Sequence, residues 1–162
     1  MAINEFRFIF PKYIIIGIFV LGCGGTHKSS DDAKGATQAE RQCIAEANAP
    51  PKDLNNAPAR VTVSHVVVRH KSLPKSDGVI RTRGQACLRA LEAREELRDA
   101  GEWADVVAHF SDMHEKNDGD LGVIRKGEQD HNFERAAFSL EQGELSYVVE
   151  TDRGFEIILR TK

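Results

Sequence analysis

The sequence predicts an α+β domain in which helices wrap a small antiparallel sheet, and three observations carry that prediction. The run Val61-Thr62-Val63-Ser64-His65-Val66-Val67-Val68 is rich in β-branched residues and reads as a buried central strand. Downstream of it the apolar period changes to that of a helix, with Ala86, Ala90, Ala93 and Leu97 three or four residues apart. Near the end, two short apolar runs flank Asp152-Arg153-Gly154, the pattern of a hairpin.

Taken in order, the chain opens on a segment with basic Arg7 and Lys12 before the apolar run Tyr13 to Leu21. A membrane-spanning helix needs roughly 20 apolar residues, and this run falls short of that. It suits the apolar part of an export signal. Val20-Leu21-Gly22-Cys23 resembles a bacterial lipobox, so residues 1–22 read as a lipoprotein signal peptide and Cys23 as the lipidated first residue of the mature chain. An ordinary signal peptide with an incidental cysteine is the alternative. Several acyl chains anchor stably, because each buried CH₂ adds about 0.8 kcal/mol. Gly24 after the cysteine does not resemble an inner-membrane retention signal, which turns the preference towards the outer membrane.

Residues 23–58 read as a flexible tether, polar and without apolar period around Lys28 to Gly35. A short helix is expected over Thr37 to Ala47, with Thr37 as its cap and Glu40 three residues later. Ala49-Pro50-Pro51 ends it, and Asn55-Asn56-Ala57-Pro58 marks a second break. The folded domain then covers residues 59–162. After the first strand come a basic loop from Arg69 to Val79, a helix from Thr82 to about Ala100 stopped by Gly101, and a second helix from Trp103 to Phe110. Trp103, Val106, Val107 and Phe110 are its expected inward face. Leu121 to Ile124 is a short strand, and Phe133 to Ser139 a short helix with Phe133, Ala136, Ala137 and Phe138 as contacts. Val148 to Glu150 and Phe155 to Leu159 form the hairpin. The order is β-α-α-β-α-β-β.

Composition narrows the function classes. A net charge of −3 over 162 residues gives no reason to expect a nucleic-acid partner. Three cysteines are too few for a disulfide framework; Cys87 reads as a small core residue, and the pairing of Cys43 stays open. His109, His114 and His131 lack metal-ligand spacing, so no metal is expected.

Several short stretches lie along this frame in a telling order: Pro58-Ala59-Arg60-Val61, Ser64-His65, Phe110-Ser111-Asp112, Gly119-Asp120-Leu121-Gly122, Phe133-Glu134, Ala137-Phe138, Gly143-Glu144, Thr151-Asp152 and Ile157-Ile158-Leu159-Arg160-Thr161. Together they resemble the parvulin-type peptidyl-prolyl cis-trans isomerases, above all the phosphorylation-specific branch. The resemblance covers about residues 59–162 and implies a parvulin-like fold that acts on X-Pro bonds. The implied partners are Pro-containing segments of envelope proteins, and the membrane through Cys23; a monomer is expected. Rotation about a peptide bond needs no nucleophile or cofactor. It needs an apolar cup for the proline ring and a small hydrogen-bonding floor.

Carried over position by position, the resemblance puts His65 and Thr151 in the floor, with Glu156 where a second histidine is usual and Met113 where Cys or Asp is usual. Glu156 beside His65 suggests a compensating pair, in which the carboxylate accepts a hydrogen bond from the ring; an outward-pointing Glu156 is the alternative. Asp112 and His114 are neighbours that could stand in for the group missing at Met113. Leu121 and Phe133 match proline-contacting positions, with Gln129 and Ile124 replacing a Met and an aromatic. Arg69, Lys71 and Lys75 lie in the loop that holds phosphate in that branch; read by themselves they are solvated charges. Three functions fit: an isomerase that assists folding of exported proteins, a Pro-peptide-binding chaperone or scaffold without turnover, and a structural lipoprotein that reuses the fold.

Overall fold

The computed structural model describes residues 35–49, 57–113 and 117–162. Cys23, the expected signal peptide and His114 lie outside the described residues. Four helices and four strands follow in the order α1 Gln38–Ala47, β1 Arg60–Val68, α2 Arg83–Arg98, α3 Trp103–Phe110, β2 Asp120–Arg125, α4 His131–Ser139, β3 Val149–Glu150 and β4 Phe155–Arg160. The sheet runs β2-β1-β4-β3 with every pairing antiparallel. This is the expected α+β class, and β1 is central, as its β-branched run requires.

Alternation along β1 and β4 divides the core into two. Val66, Val68, Phe155 and Ile157 face α2 and α3, where Ala86, Cys87, Ala90, Ala93, Val106, Val107 and Phe110 meet them. Val61, Val63 and Ile158 face the other way and pack with Phe133, Ala137 and Phe138 of α4. His65 and Glu156 share the parity of this second face, at the end where β3 joins the sheet.

α1 lies inside the span expected as a flexible tether, and it is docked on the domain. Thr37 and Glu40 form the expected capping box. The Glu40 side chain packs over Gly84, where any Cβ would come within 2.6 Å of it. A disulfide joins Cys43 to Cys87, 44 residues apart, and Asn48 donates to Glu150 Oε2 at 2.6 Å. Cys87 is therefore a core residue as expected, but also half of a covalent staple that spacing alone did not disclose.

Two boundaries differ from expectation by two residues, each for a local reason. α2 ends at Arg98 because Ala100, not Gly101, takes the left-handed conformation, with φ 69°. Gly101 is needed for close approach instead, since a Cβ there would sit 2.8 Å from the Glu96 carbonyl oxygen. α4 starts at His131, two residues early, because Asp130 caps it by accepting from the Asn132 and Phe133 amides at 2.8 and 3.2 Å. Trp103 is half-buried at the rim, its indole N–H donating to the Asp118 carbonyl at 2.8 Å.

Candidate active site

The site grows from the diagonal between β1 and β4. His65 faces Ile158 across the ladder, and Glu156 is two residues along β4 on the same face. That spacing places two long side chains within reach of each other. His65 Nδ1 lies 2.6 Å from Glu156 Oε2, and the two residues are 4% and 0% exposed. The Thr151 hydroxyl donates to Glu156 Oε1 at 2.6 Å, and Arg153 Nε donates to the same oxygen at 3.0 Å. The Arg153 amide in turn donates to Thr151 Oγ at 3.1 Å.

Electrostatics follow from this shell. Burial by itself pushes the Glu156 carboxyl pKa up. The hydrogen bond and charge attraction of His65, the nearby Arg153 guanidinium and the Thr151 hydroxyl outweigh it, so the pKa is held below the ordinary value. Ionised Glu156 can only accept, so Nδ1 of His65 carries the hydrogen that joins them. A buried carboxylate with three donors is tolerated where an unpaired one would not be.

The apolar wall stands next to this network. Phe133 is fully buried, and the His65 ring meets it edge-on with centroids 6.0 Å apart. Its face carries the Arg153 guanidinium, 5.0 Å from the ring centroid. Leu121 packs against the same cluster. Val63 pairs with Gly122 and Ser64 with Asp120, which makes Leu121 the extra residue of a β-bulge. Bulges re-aim side chains, and this one turns Leu121 towards the α4 face.

Residues 65–162 match the family described as Rotamase, PPIC-type PPIASE domain. The chain belongs to that family. It is a parvulin-type peptidyl-prolyl cis-trans isomerase by its sequence and its fold. Peptidyl-prolyl cis-trans isomerase Pin1 of Digitalis lanata is 34% identical over 113 residues, covering 63% of this chain and 96% of the relative. Foldase protein PrsA of Staphylococcus aureus is 34% identical over 102 residues, covering 61% of this chain and 32% of PrsA. Among solved structures, the peptidyl-prolyl isomerase ESS1 from Candida albicans superposes with a TM-score of 0.58 at 30% identity, over 64% of this chain and 63% of that one.

Within this family frame, the expected site residues fall into three groups. His65, Thr151 and Glu156 form one hydrogen-bonded chain, and Phe133 and Leu121 adjoin it. Gln129 joins through its side chain, whose Oε1 accepts from Arg153 Nη1 at 3.0 Å. Ile124 does not line an opening. It is 2% exposed and belongs to the core under β2, because alternation turns Val123 outward in its place. Met113 is 41% exposed, with its amide donating to Ser111 Oγ at 3.3 Å.

The basic loop is arranged for its own support. Arg69 Nη2 donates to the carbonyls of Pro74 and Lys75 at 2.7 and 3.3 Å and to Ser76 Oγ at 3.3 Å. Lys71 and Lys75 are exposed, and Lys75 has φ 55°. Asp112, considered as a stand-in for Met113, holds the loop to α3 instead: its carboxylate accepts from the Arg69 amide at 2.7 Å and from Arg81. Arg153 is the site residue that sequence reasoning missed. The available signal was a cation within the turn, two residues after Thr151 and three before Glu156.

Proposed function

We propose that this isomerase acts on X-Pro bonds of exported polypeptides and assists their folding at the bacterial envelope, held to the membrane through lipidated Cys23. Residues 1–22 are the removable leader in this reading, and Gly24 favours the outer membrane. The lipobox-like Val20-Leu21-Gly22-Cys23 supports the location, and the foldase name of the Staphylococcus aureus relative supports the role.

The observation that carries the catalytic part is the buried chain Thr151–Glu156–His65 against Phe133. Amide resonance sets a barrier of about 18–20 kcal/mol to rotation. Water stabilises the planar, polar ground state, so a dry wall formed by Phe133 and Leu121 removes that advantage. The twisted state needs its prolyl ring held while the preceding carbonyl turns. Glu156 and Thr151 fix the His65 ring at the edge of that wall, as a rigid polar floor. Met113 and Gln129 border the prolyl position, and Arg69, Lys71 and Lys75 face the residue before proline.

A protease-coupled assay on short peptides with Ala, Glu or phosphorylated Ser before proline tests the reading. Turnover above background supports it. Binding without acceleration selects a non-catalytic Pro-peptide chaperone or scaffold, a reading favoured by the complete burial of Phe133 beneath Arg153. Incorporation of a palmitate analogue, abolished by Cys23→Ser, tests the anchor, and membrane fractionation its location.

A further inference from the structure

The hairpin turn supplies one side chain that the reading above leaves without a task. Arg153 lies across the prolyl wall, with Nε on Glu156, Nη1 on Gln129 and the guanidinium carbon 5.0 Å from the Phe133 centroid. Nη2 is buried and has no hydrogen-bond partner among the described residues. At that separation the cation is in contact with the ring, and no prolyl ring fits between them.

We propose that Arg153 determines specificity at this site: it covers the prolyl wall in the free protein and yields it to segments that bring a carboxylate beside the proline. The inference rests on the isomerase reading and deepens it by naming the substrate class.

Four observations lead there. Displacing the guanidinium forfeits its contact with Phe133 and its bond to Gln129, in surroundings that are three-quarters dry, since the side chain is 24% exposed. A neutral segment offers no replacement, whereas a carboxylate pairs with two N–H groups at once, and Nη2 already has a donor to give. Glu156 is not orphaned by the movement, because His65 and the Thr151 hydroxyl still donate to it. Arg69 of the basic loop has Nη2 turned into that loop, whereas the Arg153 guanidinium lies on the Phe133 ring itself.

The test uses the full chain and three peptides that differ beside the proline: Ala on both sides, Glu before, and Glu after. Arg153→Ala opens the wall. Arg153→Gln removes the charge and the fork but leaves an amide near the place of Nε, within reach of Glu156, and serves if the alanine variant fails to fold. The wild type is expected to favour at least one Glu peptide in kcat/KM by about tenfold, and the variants to shrink that ratio to about twofold or less while raising turnover of the Ala peptide. A wild type indifferent to Glu, or a folded Arg153→Gln protein with the preference intact, overturns the proposal. If no peptide turns over with any protein, the isomerase reading fails by itself. The same three peptides are then titrated by NMR, and the dissociation constants must show the preference and its loss; equal constants overturn the role of Arg153 as well.

Discussion

His65 Nδ1 and Glu156 Oε2 meet at 2.6 Å on the diagonal between β1 and β4, in a place where both residues are buried, Glu156 completely. Removing the carboxylate takes the acceptor from three donors in the interior, the imidazole N–H, the Thr151 hydroxyl and the Arg153 guanidinium. Breaking a buried pair from one side costs about 3–5 kcal/mol, so Glu156→Ala is expected to lower unfolding free energy by that order in urea. Glu156→Gln keeps one acceptor and is expected to lose less. It should abolish the downfield imidazole N–H proton signal that the short hydrogen bond produces, and reduce kcat/KM on the preferred peptide at least about tenfold, the size of one lost charged hydrogen bond. A retained downfield signal in Glu156→Gln contradicts the pairing.

Acid should unfold the domain through two carboxylates. Against the effect of burial, Glu156 is held below its ordinary pKa by His65, Arg153 and Thr151. For Glu150, burial raises the pKa, but hydrogen bonds from Arg83 and Asn48 and the charges of Arg83 and His70 bring it below the ordinary 4.5. Each group thus has a lower pKa folded than unfolded. Each contributes stability that is complete above the unfolded value and is lost as pH falls through the folded one. Urea midpoints are expected to hold between pH 7 and about pH 5 and to drop below about pH 4.5. Glu150→Gln should be less stable than wild type at pH 7 and show a shallower fall in acid; an equally steep fall would absolve Glu150.

The Cys43–Cys87 bond ties α1 to α2 across 44 residues. Closing a loop of that length in the unfolded chain stabilises the fold by about 2–4 kcal/mol. Paired Cys43→Ser and Cys87→Ser substitutions are expected to lower the urea midpoint by a matching amount, and dithiothreitol to lower that of the wild type but not of the double variant. Proteolysis between α1 and β1 should then release α1 from the variant. An unchanged midpoint would mean that α1 docks without help from the bond.

How much of this the sequence disclosed depends on range. Period and capping are local, so β1, α3, the Thr37–Glu40 capping box of α1 and the start of α2 at Thr82 were legible from neighbours in the chain. Homologous motifs brought His65, Thr151, Glu156, Phe133 and Leu121 to one place, because that family keeps these positions together. The Cys43–Cys87 bond required knowing that α1 docks on α2, which no local pattern states. Ile124 misled because a bulge at Leu121 breaks the parity that would otherwise separate the two residues. Arg153 was hidden in a hairpin turn, where a charge normally signals solvent and not a ring beneath it.

Gly119 offers a test of how tightly His65 is held. The residue has φ +74°, and a Cβ built on it would lie 2.2 Å from the His65 carbonyl oxygen. Left-handed backbone alone costs a non-glycine residue of order 1–3 kcal/mol. The clash is with backbone, so it cannot be relieved by a rotamer change; β1 must move away at His65. Gly119→Ala is therefore expected to lose more than about 2 kcal/mol in urea unfolding, and Gly122→Ala less. The second glycine also has positive φ, +67°, but its Cβ would meet nothing within 4 Å. The difference between the two variants isolates the contact with His65 from backbone strain. If it is real, Gly119→Ala should also shift the His65 and Glu156 amide resonances and reduce kcat/KM, while Gly122→Ala leaves both near wild type. Equal losses in the two variants would assign the whole effect to backbone conformation and detach Gly119 from the site.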